Sequence, residues 1–316
     1  MEKTRVGVIG VGHQGHYHLQ KYQLIEECTV IGISDIDEGC VNGMAENYGC
    51  CTHTDHRDLI GNVDAVSIAV PTVDHFRTAK DFLVNGIHVL LEKPIASTLE
   101  EADELIRLGK KHGAIFQIGF VERFNPAVTA LAEFLEQPLF IEAHRLHPFF
   151  TRGTDVDVVM DLMIHDLDII LHLVNSPVDR VDATGISVLS ERVDIANARI
   201  SFENGCVANV TASRVTNKVM QKIRFFGEQG YNSVDYAKRE LTSLRRRFDE
   251  QGRPVIEQNP VSIKMCDPLE TEIRSFLQAV RKGQPSVASG EEARGSFVLG
   301  LEIVKSMKDK MENLRL

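Results

Sequence analysis

A short apolar run, RVGVIG at Arg5 to Gly10, leads through Gly10-Val11-Gly12-His13-Gln14-Gly15 into a helical stretch at His16 to Ile25. Strand, G-x-G-x-x-G, helix is the strongest constraint in this chain. The first glycine permits the tight turn, the second lets a pyrophosphate approach the backbone, and the third lets helix and strand pack closely. The helix start then presents open N–H groups and the positive end of its dipole to that anion. A second strand, Cys28 to Asp35, ends in an acid twenty residues after Gly15. An acid there accepts ribose hydroxyls and repels a 2′-phosphate. With Ile36 and Asp37 next and no arginine, the pattern favours NAD over NADP. The expected cofactor residues are Gly10, Gly12, His13, Gln14, Gly15 and Asp35.

The alternation continues. Asp64 to Pro71 is a buried-type strand, followed by a helix that Gly86 closes. His88 to Pro94 is the next strand, then a helix starting at Ser97 or Thr98 and ending at Gly113, then a strand at Ile115 to Val121. This rhythm predicts a doubly wound parallel sheet with ligands at the carboxyl ends of its strands. Pro71, Thr72, His75, Glu92, Lys93, Glu122 and Arg123 sit at or just past those ends, and the first five join the expected cofactor residues. Lys93 stands out. It ends an apolar strand between Glu92 and Pro94, where an ammonium could hydrogen-bond a substrate hydroxyl and stabilise a developing alkoxide.

The second half reads differently. A helix is expected through ERFNPAVTALAEFLEQP with Pro126 in its first turn. Strand-type segments follow, with Glu203-Asn204-Gly205 as a hairpin turn, and two helices close the chain. Strands in succession indicate an α+β domain with a large, mostly antiparallel open sheet. The expected division is an NAD-binding Rossmann domain at 1–122 and a substrate-binding and oligomerisation domain at 123–316, with the final helices able to pack back on the first. There are no repeats and no low-complexity linker.

Within that half, DVVMDLMIHDLDIILHLV at Asp157 to Val174 carries polar residues at Asp157, Asp161, His165, Asp168 and His172, at helical steps. The residues between them are read as an apolar body, so the five form one ionisable stripe on a buried helix. Buried carboxylates and imidazoles are costly unless paired or facing a wet cleft, which predicts the wall of an active site. His172, two turns along, reads as a core histidine. A metal site on Asp161, His165 and Asp168 lacks further ligands, and none is expected.

The 316 residues suffice for two cores, and the net charge of −10 argues against non-specific nucleic-acid or anionic-membrane binding. The basic run Arg245 to Arg247 is short and flanked by acids, which predicts a solvated face. Cysteines 28, 40, 50, 51, 206 and 266 form no CxxC and read as reduced thiols. No apolar run is long enough to span a bilayer, and a strand within the first residues leaves no room for a signal peptide, so a cytoplasmic protein is expected.

GVGHQG at 10–15, PTVDH at 71–75, EKP at 92–94, GFVERFNP at 119–126 and D-x-x-x-H-x-x-D at Asp161, His165 and Asp168 together resemble the Gfo/Idh/MocA family of nicotinamide-dependent oxidoreductases. The resemblance covers nearly the whole chain. It implies that Lys93 and His165 flank the reacting carbinol, with Asp161 assisting. One departure is Met163, where the family often has glycine two residues before the histidine. EAHRLHPF, RGTDVDVVMDLMIHDLDI and DIANARISFENGCVANVTASR resemble the bacterial branch that oxidises the 3-hydroxyl of UDP-N-acetylglucosamine towards the 2,3-diamino sugars of lipid A. That likeness makes His144, Arg145, His147 and Arg152 candidates for holding a nucleotide-sugar, since arginine suits pyrophosphate. For His147, plain solvation at a strand edge is the competing reading. Arg123, Asn125 and Asp168 complete the expected substrate contacts.

The chemistry so implied is oxidation of a sugar carbinol to a ketone, with His165 as general base. Three alternatives stand beside it: an oxidoreductase of a free sugar or cyclitol, a glycosidase that recycles tightly held NAD, and a non-catalytic NAD- or sugar-binding sensor. The family also implies a homodimer or homotetramer.

Overall fold

The computed structural model describes residues 2–150 and 156–314. In chain order the strands are β1 (Thr4–Ile9), β2 (Cys28–Ser34), β3 (Cys51–His53), β4 (Ala65–Ile68), β5 (His88–Glu92), β6 (Phe116–Gly119), β7 (Phe140–Leu146), β8 (Val178–Ile186), β9 (Ile195–Phe202), β10 (Val207–Ser213), β11 (Met220–Gly227), β12 (Gly230–Asp235), β13 (Glu240–Phe248) and β14 (Pro254–Gln258). The α-helices are α1 (His13–Gln23), α2 (Glu38–Tyr48), α3 (Thr72–Leu83), α4 (Leu99–His112), α5 (Pro126–Ala132), α6 (Ile164–Val174), α7 (Pro268–Lys282) and α8 (Gly290–Leu314), and a π-helical turn at Val159–Met163 runs into α6. Two compact units result, Met1–Val121 with Asp267–Arg294, and Glu122–Cys266 with Gly295–Leu316.

In the first unit, six strands form a parallel sheet in the order β3-β2-β1-β4-β5-β6. The order reverses between β1 and β4, which opens a crevice at the strands' carboxyl ends. All four residues of β4 and of β6 are buried, as a sheet covered by helices on both faces requires. The α2 helix and β3 strand are additions to the series that the sequence predicts. Helix ends follow local chemistry. The Thr98 hydroxyl accepts from the Glu101 N–H while Glu101 reaches back to the Thr98 N–H, and Gly113 closes α4 in the left-handed conformation at φ 68°. Asp267 caps α7, with Pro268 in its first turn. That helix sends Ile273, Phe276 and Leu277 into a core with Val6, Val8, Leu19 and Tyr22. Each large side chain so buried contributes about 1.5–3 kcal/mol.

The second unit is built on an eight-stranded sheet, β14-β13-β12-β11-β7-β10-β9-β8. Only β7 and β10 pair in parallel, at its centre; the other neighbours are antiparallel. Alternate residues face the core, among them Ile141, Ala143, Ala196, Ala198, Ile200, Ala208, Val210 and Ala212. Many are alanines, which lets Val159, Met163, Leu167 and Ile170 lie close to the strands. The β9–β10 hairpin turns at Gly205, whose φ of +86° excludes most side chains, and Asn204 Oδ1 accepts from Cys206 N.

One expectation changes here and another holds. The helix begun at Pro126 ends at Ala132 rather than running to Pro138. The basic run lies in β13, where Arg246 and Arg247 are exposed and Arg245 pairs with Glu136 at 3.0 Å. Among the described residues no helix is long and apolar enough to cross a membrane, and no cluster of side chains could hold a metal ion.

Candidate active site

In the first unit the glycine turn is built as its sequence requires. Gly10 has φ +77°, and a Cβ there would stand 2.7 Å from the Ala69 carbonyl oxygen. A Cβ on Gly15 would come within 1.7 Å of the Gly10 oxygen, so helix and turn can meet only at glycine. Gly12 has nothing within 4 Å of its missing Cβ. It precedes α1, whose start has no side-chain cap and no acid in its first turn. An open helix terminus beside a bare backbone surface fits a pyrophosphate. His13 opens the helix, exposed, and Gln14 follows half-buried. Asp35, at the end of β2, accepts from Val11 N at 2.8 Å and from Asp37 N at 3.0 Å. The carboxylate is thereby anchored beside the turn, where it would receive ribose hydroxyls. These residues fit NAD.

At the next strand ends, Pro71 precedes α3, Thr72 and Lys93 are half-buried, and the Lys93–Pro94 peptide is cis. His75 differs from its expected part as a cofactor contact. It is 1% exposed, with Nδ1 2.8 Å from the Pro94 oxygen and Nε2 3.0 Å from the Val70 oxygen. Burial pushes its pKa down against the pull of those two carbonyls. A neutral ring has one N–H and donates to one carbonyl at a time. Its work is to tie the end of β4 to the Lys93–Pro94 segment. Glu92 turns inward, its Oε1 accepting from His18 Nε2 at 2.9 Å and Gln14 Nε2 at 3.3 Å. Burial would raise the Glu92 carboxyl, but His18, Lys93 and Gln14 outweigh it and hold the group below its ordinary range.

In the second unit the ionisable stripe is only partly as predicted. Val159–Met163 is π-helical, so the wider turn interrupts the uniform spacing behind the five-residue stripe. The stripe also passes over Asp166, which is fully buried. Asp166 receives Arg145 through two bonds, Nε to Oδ2 at 2.9 Å and Nη2 to Oδ1 at 3.1 Å. Asp168, 2% exposed, receives Arg123 in the same way at 2.7 and 2.8 Å. Asp157 accepts from Val193 N at 3.0 Å. His172 is exposed, not a core histidine. Asp161 and His165 remain, half-buried and four residues apart.

The expected substrate contacts need correction for related reasons. Arg145 is 4% exposed, and besides Asp166 it donates to Glu122 at 3.1 Å and lies 4.7 Å over the Tyr236 ring. Burial pulls its pKa down, yet Asp166 and Glu122 hold it above its ordinary value. A guanidinium so committed is structural. Arg123 and Asp168 form a buried pair. Asn125 caps α5 through Ala127 N and donates to Glu122 and the Tyr236 carbonyl, so its side chain is also occupied. His144 alternates with Arg145 on β7 and so lies on the opposite sheet face, with Glu142, Asn197 and Thr211. His147 is half-buried just past β7, and its backbone N–H donates to Ser213. Arg152 lies outside the described residues.

Several important side chains escaped the sequence reading. Arg214, 1% exposed, donates to Asp194 at 2.9 Å and to the Val156 carbonyl at 3.1 Å, and lies 4.0 Å from Asp161. Burial would raise Asp194, but the Ser190 hydroxyl and the N–H groups of Leu189, Val188 and Ser190 hold it well below the carboxylate range. His18, Ser67 and Tyr22 form a buried polar run in the first unit. Some signal was available. Period two in β7 places Arg145 on the core face with Ile141 and Ala143, and a core-facing arginine demands a buried acid.

Comparisons with known proteins agree with this geometry. Residues 4–120 match the oxidoreductase family with an NAD-binding Rossmann fold, and residues 136–232 match the GFO/IDH/MocA C-terminal domain. The chain is 36% identical over 306 residues to UDP-N-acetylglucosamine 3-dehydrogenase of Acidithiobacillus ferrooxidans, covering 96% of this chain and 97% of that one. A solved structure of that enzyme is similar with a TM-score of 0.90 at 34% identity, covering 98% of this chain and 99% of the other. Myo-inositol 2-dehydrogenase of Thermotoga maritima is 27% identical, covering 97% of each chain.

Proposed function

Because the chain belongs to the Gfo/Idh/MocA family of NAD-dependent oxidoreductases, we propose that it oxidises the 3-hydroxyl of a UDP-N-acetylhexosamine to the ketone. The observation that carries this reading is the end-to-end similarity to a dehydrogenase of that specificity, which spans the second unit as well as the cofactor unit. Substrate choice in a two-unit oxidoreductase belongs to the unit that does not hold the dinucleotide, so similarity there matters most.

The chemistry that bound NAD would supply is acceptance of a hydride from the carbinol carbon; the protein's own groups manage charge and position. His165 accepts the hydroxyl proton. An imidazole suits this role because its ordinary pKa lies near neutral pH. Asp161, one turn earlier on the same helix, orients the ring and stabilises its charged form, and Arg214 holds Asp161 from behind. Lys93 donates to the hydroxyl oxygen and stabilises the negative charge that develops there. Met163, in place of a family glycine, is buried in the core on the strand side of this helix. The reading places the enzyme in the cytoplasm as a homo-oligomer, preparing nucleotide-sugars for amination towards lipid A.

The test is turnover of purified protein with NAD and a panel of nucleotide-sugars, free sugars and cyclitols, in the presence of a ketone-trapping amine. NADH together with a UDP-N-acetylglucosamine product lighter by two hydrogens supports the reading. NADH from an inositol alone would instead favour the cyclitol chemistry of the 27% identical relative.

A further inference from the structure

Glu92 is the first link of a buried polar run. Its Oε1 meets His18 Nε2 at 2.9 Å, His18 Nδ1 stands 3.1 Å from Ser67 Oγ, and Ser67 Oγ stands 2.8 Å from the Tyr22 hydroxyl. His18 and Ser67 are wholly buried and Tyr22 is 1% exposed. Serine, histidine and glutamate at these separations could serve as an activated nucleophile. Here the serine is sealed from solvent and Tyr22 occupies its hydroxyl, so that use is closed.

The protons can be placed. An ionised Glu92 only accepts, so His18 Nε2 must carry a hydrogen. In the direction Tyr22 to Ser67 to His18 to Glu92, every donor then has one acceptor. Buried polar groups cost stability unless paired, and apolar residues would fill the same space more cheaply. What the run achieves is a connection. It joins α1, whose uncapped start would face the cofactor, to the residue immediately before Lys93.

We propose that His18 is a positioning residue for the reaction, holding the Glu92 carboxylate against the first turns of α1 and so fixing the charge and orientation beside Lys93. This rests on reading Lys93 as the residue that polarises the substrate oxygen. The groups that face Glu92 are His18 and Gln14 from α1 and Lys93 next to it in the chain, and its charge in turn pulls against the downward shift of the neutral His75. From β6 Gly119 approaches: a Cβ there would lie 3.2 Å from the carboxyl atoms, so the carboxylate is boxed on that side. If His18 is removed, Glu92 keeps its burial and loses its strongest opposing partner. It then takes up a proton at higher pH, and the acid limb of activity moves upward.

The experiment compares His18→Leu and His18→Gln in the full chain. It measures kcat and KM against pH with UDP-N-acetylglucosamine, NAD binding by calorimetry, and the Nε2 proton of His18 in ¹⁵N-histidine-labelled protein. His18→Leu is expected to lose about tenfold in kcat, the size of one charge-assisted hydrogen bond, with the acid limb raised and the NAD Kd within about threefold. His18→Gln, which keeps an N–H donor, should restore most of the acid limb. Folded His18→Leu with unchanged kcat and an unchanged acid limb would reduce His18 to core filling and overturn the proposal. The Nε2 resonance separates this from the reading of Lys93. It should shift in Glu92→Gln whatever the turnover, and an unmoved resonance also overturns the proposal. Full activity of Lys93→Ala would instead remove the catalytic reading while leaving the hydrogen bond in place.

Discussion

The two units organise charge in opposite ways. In the first, the functional features are backbone: a glycine turn, an uncapped helix start and strand ends, with Asp35 anchored by main-chain N–H groups. In the second, charge is held mainly in buried structural ion pairs, Arg145 with Asp166, Arg123 with Asp168, and Arg214 with Asp194. A backbone site needs particular residues only where a side chain would obstruct, and so leaves a short motif in the sequence. A side-chain site assembles from distant positions, and each paired ion is costly to orphan. Damage to the first unit should therefore appear as lost binding or chemistry with the fold intact. Damage to the ion pairs of the second should appear as lost stability.

Five changes would sharpen or break that contrast. Lys93→Ala should lower kcat/KM by about a thousandfold with an unchanged unfolding midpoint, read by steady-state kinetics beside a thermal melt. Arg145→Met takes the guanidinium from the buried Asp166 and should cost about 3–5 kcal/mol in denaturant unfolding; loss of activity alone would contradict its structural assignment. Gly12→Ala meets no protein atom within 4 Å. It should stay within about 0.5 kcal/mol of the parent while NAD affinity measured by calorimetry falls about tenfold or more.

The fourth change is in pH. The folded Asp194 carboxyl lies below its unfolded value. Its contribution is therefore present above the unfolded pKa, about 4, and is lost as pH falls through the folded one. Urea midpoints should drop on acidification through that range, and Asp194→Asn should flatten the slope while lowering stability at neutral pH. Last, Arg247→Ala at an exposed position of β13 should change stability by no more than about 0.5 kcal/mol.

The same contrast explains what could be read from the sequence. The parallel sheet, the NAD turn and Asp35 follow from local pattern, because strand ends and glycines act where they stand. The mostly antiparallel second sheet was legible from successive strands and from the Glu203-Asn204-Gly205 turn. The helix stripe was half legible: Asp161 and His165 are half-buried as a site needs, but Asp166 was overlooked and Asp168 is consumed by Arg123. Arg123, Asn125 and Arg145 resemble ligand-binding residues by type, and only their three-dimensional neighbours reveal that their donors are taken. His18 lay unnoticed in a helix. Its partners Ser67 and Glu92 are forty-nine and seventy-four residues away, beyond any local period.

The most direct measurement uses UDP-N-acetylglucosamine carrying deuterium on carbon 3, incubated with the protein and unlabelled NAD, followed by mass analysis of the reduced cofactor. Oxidation at the 3-position predicts deuterium in the NADH and a keto-sugar that has lost it. NADH free of deuterium, or a product that retains the label, would contradict oxidation at the 3-position and with it the central claim.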